Sequence, residues 1–290
     1  MKKISYTKKS CKALLARSND THKGQSGKVL CIAGSISYPG SALLCSVASL
    51  RIGADYVWLA SPEKVTAITL RYCPDIVPVP LCKSYLTGAD YSALIKIAQR
   101  ADVLLIGPGI GKDSLTKKAV QKILSNKDVD KKLKVIDADA LSMISLKELS
   151  NTILTPHLHE YKQVCITNKI PFPQSAKNTR ELCMPKNSSF LENIQKVIGT
   201  NCMIIKGNPD IVITRKSISY NETGNPGMAK AGTGDILAGL CAGILAKTKS
   251  IESSAKLSVW LNGRLGDSLQ KKMNGYFFIA SDFLTELKEW

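Results

Sequence analysis

The sequence predicts a three-layer α/β sandwich, with helices covering both faces of a mostly parallel central sheet. Two observations carry that expectation. Short runs of β-branched and aliphatic residues, apolar at successive positions, alternate with longer stretches of helical period. Strands that are apolar on both faces belong to a parallel sheet buried between helix layers. Most of these runs also end in loops of Gly, Pro, Asp and His, the composition expected at the carboxyl ends of strands, where such sheets bind ligands.

The elements follow in order. Residues 29–33 read as the first strand, and the stripe Leu43, Val47, Leu50 as a helix behind it. Residues 56–60, 103–106, 135–136, 153–154, 203–205 and 211–214 continue the strand series, with helical patterns between most of them. Five loops then fall along one sheet edge and outline a cleft: 34–40, 107–111, 137–139, 155–157 and 206–208. The polar stretch 169–189, with three prolines, reads as a surface excursion. No low-complexity linker divides the chain, so residues 1–290 are expected to form one domain.

With 44% hydrophobic and 22% charged residues, the 290-residue chain can bury a core and is not a disordered polymer. The 40 Lys and Arg against 23 Asp and Glu leave +17, which favours anionic partners: nucleic acid, acidic membrane or phosphate-bearing metabolites. Nine cysteines without a C-x-x-C pair read as reduced, core-filling thiols rather than a disulfide frame or zinc site. Lys8, Lys9 and Lys12 interrupt the apolar stretch a signal peptide needs. The longest apolar run, 236–246, falls short of the ~20 residues that span a bilayer. A soluble cytoplasmic protein, without membrane contact, is the expectation.

The strongest chemical signal is Asn225-Pro226-Gly227-Met228-Ala229-Lys230-Ala231-Gly232-Thr233-Gly234-Asp235, running into the helix at 236–246. Small residues let the backbone approach a ligand, and the free N–H groups of the helix start then attract an anion. Asp235 is out of place in a phosphate cradle unless the reaction needs a base there, so the catalytic role is favoured over a plain helix-start acid. Gly107 to Lys112 is one residue short of a P-loop and has Asp113 where Ser or Thr should stand; Lys112 also fills the third glycine position of a dinucleotide fingerprint. The loop reads instead as a backbone platform for a flat substrate. His157 and His159 lack the partner at position 163 that H-E-x-x-H requires, which makes zinc improbable. His22, alone in a basic loop, is a surface residue or an anion contact.

Taken together, His22-Lys23-Gly24, residues 34–42, Ile106-Gly107-Pro108-Gly109-Ile110-Gly111, Ile136-Asp137-Ala138-Asp139-Ala140-Leu141, Leu154-Thr155-Pro156-His157, Lys206-Gly207 and residues 223–239 resemble the ADP- or ATP-dependent NAD(P)H-hydrate dehydratases of the ribokinase-like superfamily. The resemblance spans about residues 20–285 in the family's motif order, without the epimerase domain fused to some members. It implies a repair reaction in which hydrated NADH or NADPH, in its S-form, is phosphorylated on the ring hydroxyl and then loses phosphate.

Carried onto this sequence, the resemblance makes Asp235 the base. Ala231, Gly232, Thr233 and Gly234 become the anion hole, and Asn225 a phosphate contact. Lys206, Gly207, Asn208, Pro209, Asp210 and Gly234 correspond to the nucleotide site, although the family's stretch usually ends in Thr rather than Asp210. Ser41, Ala42, Gly109, Gly111 and His157, with Asp235, correspond to the hydrated dinucleotide's side, with Ser41 replacing the usual Ala. Thr155-Pro156-His157-Leu158-His159-Glu160 is similar to the superfamily's T-P-N-x-x-E, which assigns Glu160 to Mg2+ through water; Leu158-His159 replaces the usual Pro-Gly. Asp137 and Asp139 either help hold that cation or cap the next helix. ADP is the preferred donor over ATP, and a homo-oligomer such as a tetramer is implied.

Two rivals remain at this level. A ribokinase-like vitamin-precursor kinase shares the Gly-Thr-Gly-Asp loop but not the Gly107 loop or the Thr-Pro-His turn. A nucleic-acid-binding protein accounts for the charge, yet Lys117-Lys118, Lys131-Lys132 and Lys271-Lys272 lack interleaved aromatics, which are 6% of the chain.

Overall fold

The computed structural model describes residues 1–290. In chain order its elements are β1 (Lys2–Lys3), α1 (Lys8–Leu14), β2 (Lys28–Ile32), α2 (Pro39–Arg51), β3 (Tyr56–Pro62), α3 (Glu63–Tyr72), β4 (Val77–Leu81), α4 (Tyr91–Arg100), β5 (Val103–Ile106), α5 (Ser114–Leu124), α6 (Lys127–Asp130) and β6 (Leu133–Ile136). They continue with β7 (Thr152–Leu154), α7 (Leu158–Thr167), α8 (Thr179–Leu182), α9 (Ser188–Val197), β8 (Cys202–Ile205), β9 (Asp210–Thr214), β10 (Ile218–Asn221), α10 (Thr233–Thr248), α11 (Ile251–Lys272) and α12 (Ala280–Glu286).

All ten strands form one sheet, ordered β1-β10-β9-β8-β7-β6-β5-β2-β3-β4. Every pairing from β8 to β4 is parallel, whereas β9 runs antiparallel to both β8 and β10. Alternation along the strands explains why they read as continuous apolar runs. Val29, Cys31, Val103 and Leu105 face a core shared with α2, α10 and α11, while Leu30, Ile32, Leu104 and Ile106 face a second core shared with α4, α5, α7 and α9. Those are the three expected layers. Seven of the nine free cysteines are buried in them.

Three strands lie outside the expected series. β4 carries Pro78 and Pro80, which an edge strand tolerates because one row of its backbone groups has no neighbour. β10 alternates buried and half-buried residues, and β1 has two residues, both exposed.

α10 is buried along eleven successive residues, Ile236 to Ala246, as expected of a helix apolar all round. Gly239 is the reason it can approach α2: a β-carbon there would stand 2.3 Å from the Cys45 carbonyl oxygen. Ser49 Oγ crosses the seam to donate to the Gly239 carbonyl at 3.0 Å. With Gly243 packed on Ser49 and Ile52, the contact sets α10 and α2 side by side and parallel, so that both begin toward the carboxyl edge of the sheet.

Two expectations are corrected. The stretch 169–189 contains α8, whose Thr179 and Leu182 are buried, so part of it belongs to the core rather than the surface. His22 is exposed and precedes β2, in a loop tied by Gly24 N–H to Asp55 just before β3. It therefore lies at the amino edge of the sheet, opposite the cleft, and the anion contact considered for it is remote from the other motif residues.

Candidate active site

Register assembles the site. The parallel pairing Ile136↔Leu154 sets Asp137 beside Thr155, and the bridge His157↔Lys206 carries the alignment onto the end of β8. Asp137 Oδ1 consequently accepts from Thr155 Oγ1 at 2.7 Å and from Lys206 Nζ at 2.9 Å. Asp137 makes no side-chain capping bond, so the alternative of a helix cap is overturned. Lys206 also lies 3.8 Å from Glu160 Oε2. Burial works to lower the Lys206 pKa, but Asp137, Glu160 and Asp235 outweigh it and hold the ammonium charged.

Facing this ion pair is the first turn of α10. Gly232, at φ 93°, turns the chain into the helix without a side-chain cap. Thr233 N–H makes a long bond of 3.5 Å to the Lys230 carbonyl, and the next N–H groups, of Gly234 and Asp235, stay free for an anion. Thr233 Oγ1 donates to the carbonyls of Met228 and Lys230 and so braces the turn below Ala231. Asp235 sits in that turn, and its carboxyl is pushed up to about 6 by burial and by Asp137, while Ser41 and Lys206 pull it down. Asn225 Oδ1 accepts from Gly227 N–H at 3.0 Å and its Nδ2 donates one hydrogen to Asp267 at 3.4 Å, so the side chain also shapes the loop and keeps its second amide hydrogen.

On the other side stands the platform. Gly107, at φ 129°, passes so close to β6 that a β-carbon would fall 1.8 Å from the Asp137 carbonyl oxygen. Gly109 packs on Ser41 and Tyr38 at the start of α2, next to buried Ala42, and Gly111 N–H donates to Asp139 Oδ2 at 3.0 Å. Asp113 caps α5 through Leu115 N–H, which gives the failed P-loop a plain structural task.

His157 begins α7 in a capping box: its Nδ1 accepts from the N–H groups of His159 and Glu160, and Glu160 Oε2 accepts from His157 N–H. Nδ1 is thereby an acceptor, which leaves the hydrogen on Nε2. Burial lowers the His157 pKa, Glu160 opposes that, and Lys206 and His159 reinforce it, so the ring is held neutral. Leu158 and His159 are the first helical residues of α7.

The nucleotide stretch is partly self-satisfied. Asp210 Oδ1 accepts from Gly207 N–H at 2.9 Å and Oδ2 from Asn221 Nδ2 at 3.0 Å, with the carboxyl pushed up to about 6 by burial. Asp210 therefore closes the turn around Asn208 and Pro209. Thr179 covers that turn: its Oγ1 would be 2.3 Å from a β-carbon on Gly207. Sequence reading missed this contact, as well as the Asp137–Lys206 pair and Thr155; strand register was the one signal for the latter two.

A family model described as NAD(P)H-hydrate dehydratase matches residues 29–287. The chain belongs to the NAD(P)H-hydrate dehydratase family. It is 32% identical to the ADP-dependent (S)-NAD(P)H-hydrate dehydratase of Cenarchaeum symbiosum, covering 92% of this chain and 89% of that one. It is also 32% identical to the bifunctional NAD(P)H-hydrate repair enzyme of Pyrobaculum aerophilum, but there it spans only 52% of the relative's length. Among solved structures, a ribokinase-like superfamily protein of Enterococcus faecalis superposes with a TM-score of 0.78 at 25% identity, covering 95% of this chain and 92% of that one. The dehydratase fold is thus ribokinase-like, and no helix is long and apolar enough to cross a membrane.

Proposed function

We propose that the chain restores NADH and NADPH from their hydrated S-forms, consuming ADP, or ATP, as phosphoryl donor. The observation that carries this is Asp235: a carboxyl with a pKa of about 6, in the first turn of α10, between the Lys206–Asp137 pair and the Ser41–Gly109 contact. A base is wanted there, flanked by an anion cradle on one side and a flat platform on the other.

The nucleotide lies over Lys206, Gly207, Asn208, Pro209 and Asp210, with its transferring phosphate at the N–H groups of residues 231–234. The hydrated ring lies against Ser41, Ala42, Gly109 and Gly111, with His157 Nε2–H as a donor. Asp235 takes the proton of the ring hydroxyl, whose oxygen forms the new P–O bond as the phosphoanhydride bond breaks, releasing AMP when ADP is the donor. Phosphate then leaves together with a proton from the neighbouring ring carbon, and the double bond returns. Hydroxide is a poor leaving group and phosphate a good one, which is the reason to spend a nucleotide. Aligned donors around the transferred group are each worth about 10²-fold or more in rate.

Magnesium, when bound, would neutralise charge on the phosphates. Glu160 is the acid that would hold it through water. No three His, Cys, Asp or Glu side chains converge as a metal cage.

Residues 1–290 act as one unit in the cytoplasm. Phe277, 83% exposed, beside exposed Tyr276 and Ile279, supports assembly into a homo-oligomer, a tetramer in the family's manner, which sedimentation measures. The basic pairs sit apart on α5, after α6 and at the end of α11, which supports a role without nucleic acid. Incubation of hydrated NADH with ADP or ATP tests the central reading: the reduced-nicotinamide absorbance returns, whereas accumulation of a stable phosphorylated product identifies a kinase instead.

A further inference from the structure

A second cavity, of about 580 Å³, lies along the outer face of α11, lined by Tyr6, Lys8, Thr223, Trp260, Arg264, Asp267, Lys271 and Trp290 among others. That volume lies within the range of small-ligand sites. The α11 residues recur at spacings of four, three and four, so they share one face. The adjoining flank of the helix, with Gly263 and Gly266, packs on Thr223 and Met228.

The walls are aromatic and the rim is cationic. Trp260 meets Tyr6 and Trp290 edge-on, each at 5.7 Å between ring centroids and inclined at 62° and 85°, so the three rings form angled walls and not a parallel stack. Lys8 and Lys271 have no carboxylate within ion-pair distance, and Arg264 reaches only Asp267, at 4.0 Å. Three cations against one acid give the rim a surplus of two positive charges. Flat walls with that surplus suit a heteroaromatic ring bearing phosphate.

The cavity also touches the catalytic loop. Thr223 Oγ1 donates to the Trp260 carbonyl, and Asp267 accepts from Gly224 N–H at 3.2 Å and from Asn225 Nδ2 at 3.4 Å. An anion that draws Arg264 away from Asp267 alters the bonds that hold the loop leading to Gly232.

We propose that this cavity is a second binding site for a nucleoside phosphate, distinct from the Lys206–Asp210 site and coupled to the phosphate loop through Thr223 and Asp267. It goes beyond the repair reaction and does not depend on it. Two sources share the chemistry, the adenine nucleotide and the product dinucleotide, so ADP and NADP+ are the two probes.

Calorimetric titration is expected to show two binding events per chain for at least one probe, the second accompanied by quenching of tryptophan emission. Only Trp58 of the three tryptophans lies away from the cavity. Lys8→Glu with Lys271→Glu, both exposed positions, should weaken the second event at least tenfold and abolish the quench, leaving the first event and the repair kcat within twofold. The probe that gives the paired response identifies the source. A single event with both probes overturns the proposal. So does a tenfold weakening of the first event in the variant, since the cavity would then belong to the catalytic nucleotide's seat. The emission readout needs no turnover, so its failure and failure of the repair reading are seen separately.

Discussion

A β-carbon placed on Gly234 would stand 3.4 Å from Lys206 Nζ, so the first turn of α10 and the end of β8 meet with only an ammonium between them. A phosphate entering that gap takes N–H donors from the helix and charge from the lysine at once. The same ammonium neutralises buried Asp137.

Replacing Lys206→Met leaves Asp137 buried without its cation, a change that typically costs about 3–5 kcal/mol. Thermal melting should register that loss, and ADP affinity should fall at least tenfold. Adding Asp137→Asn to the same chain should return most of the stability and none of the affinity. Equal melting of the single and double variants would show that the pair is not what holds this edge together.

Asp235→Asn removes the base and little else. General base catalysis contributes about 10²–10⁴-fold, so kcat should drop by about 10³ while ADP affinity stays within twofold. Stability should move the other way. The folded carboxyl is raised to about 6 from an ordinary value of 3.8, so the native state favours the neutral form and loses stability as pH rises through that interval. The asparagine variant should therefore melt higher than wild type at pH 8, by the equivalent of about 1–3 kcal/mol, with the gap closing near pH 4. A gap that does not change with pH would detach the effect from Asp235 ionisation.

For the wild type, kcat/KM should fall about tenfold per unit below about pH 6 as Asp235 becomes neutral. Asp210 is raised to a similar value and is the competing owner of that limb. Asp210→Asn decides between them: the limb should persist in the variant, at reduced nucleotide affinity, and its disappearance would transfer the titration to residue 210.

Gly239→Ala forces a methyl group to within 2.3 Å of the Cys45 carbonyl oxygen, an overpacking worth about 1–3 kcal/mol. Because α2 carries Ser41 and Ala42, the KM for the hydrated dinucleotide should rise more than the KM for ADP. Gly40→Ala is the control: nothing lies within 4 Å of its missing β-carbon, and both constants should hold.

Much of the fold was readable because seven strands are apolar on both faces, and burial in a two-sided core leaves that mark on sequence. β4 escaped because its prolines argue against a strand unless its place at the edge is known, and edge position is a tertiary fact. In the same way, Asp235 and the glycine loops were visible from local composition. The bond from Lys206 to Asp137 was not, since 69 residues separate them and only the order β6-β7-β8 brings them together. The Asn225 contact with Asp267 was hidden for a related reason: its partner comes from α11, which carries no local signature of the loop it supports.

The seam at Gly239 joins the wall beneath the dinucleotide and the cradle for the phosphate into one rigid frame. Parting those helices to release product would expose the eleven buried residues of α10. A rigid frame leaves any adjustment to the exposed loops around it, among them the one in which the Lys230 ammonium donates to the carbonyls of Tyr276 and Phe278.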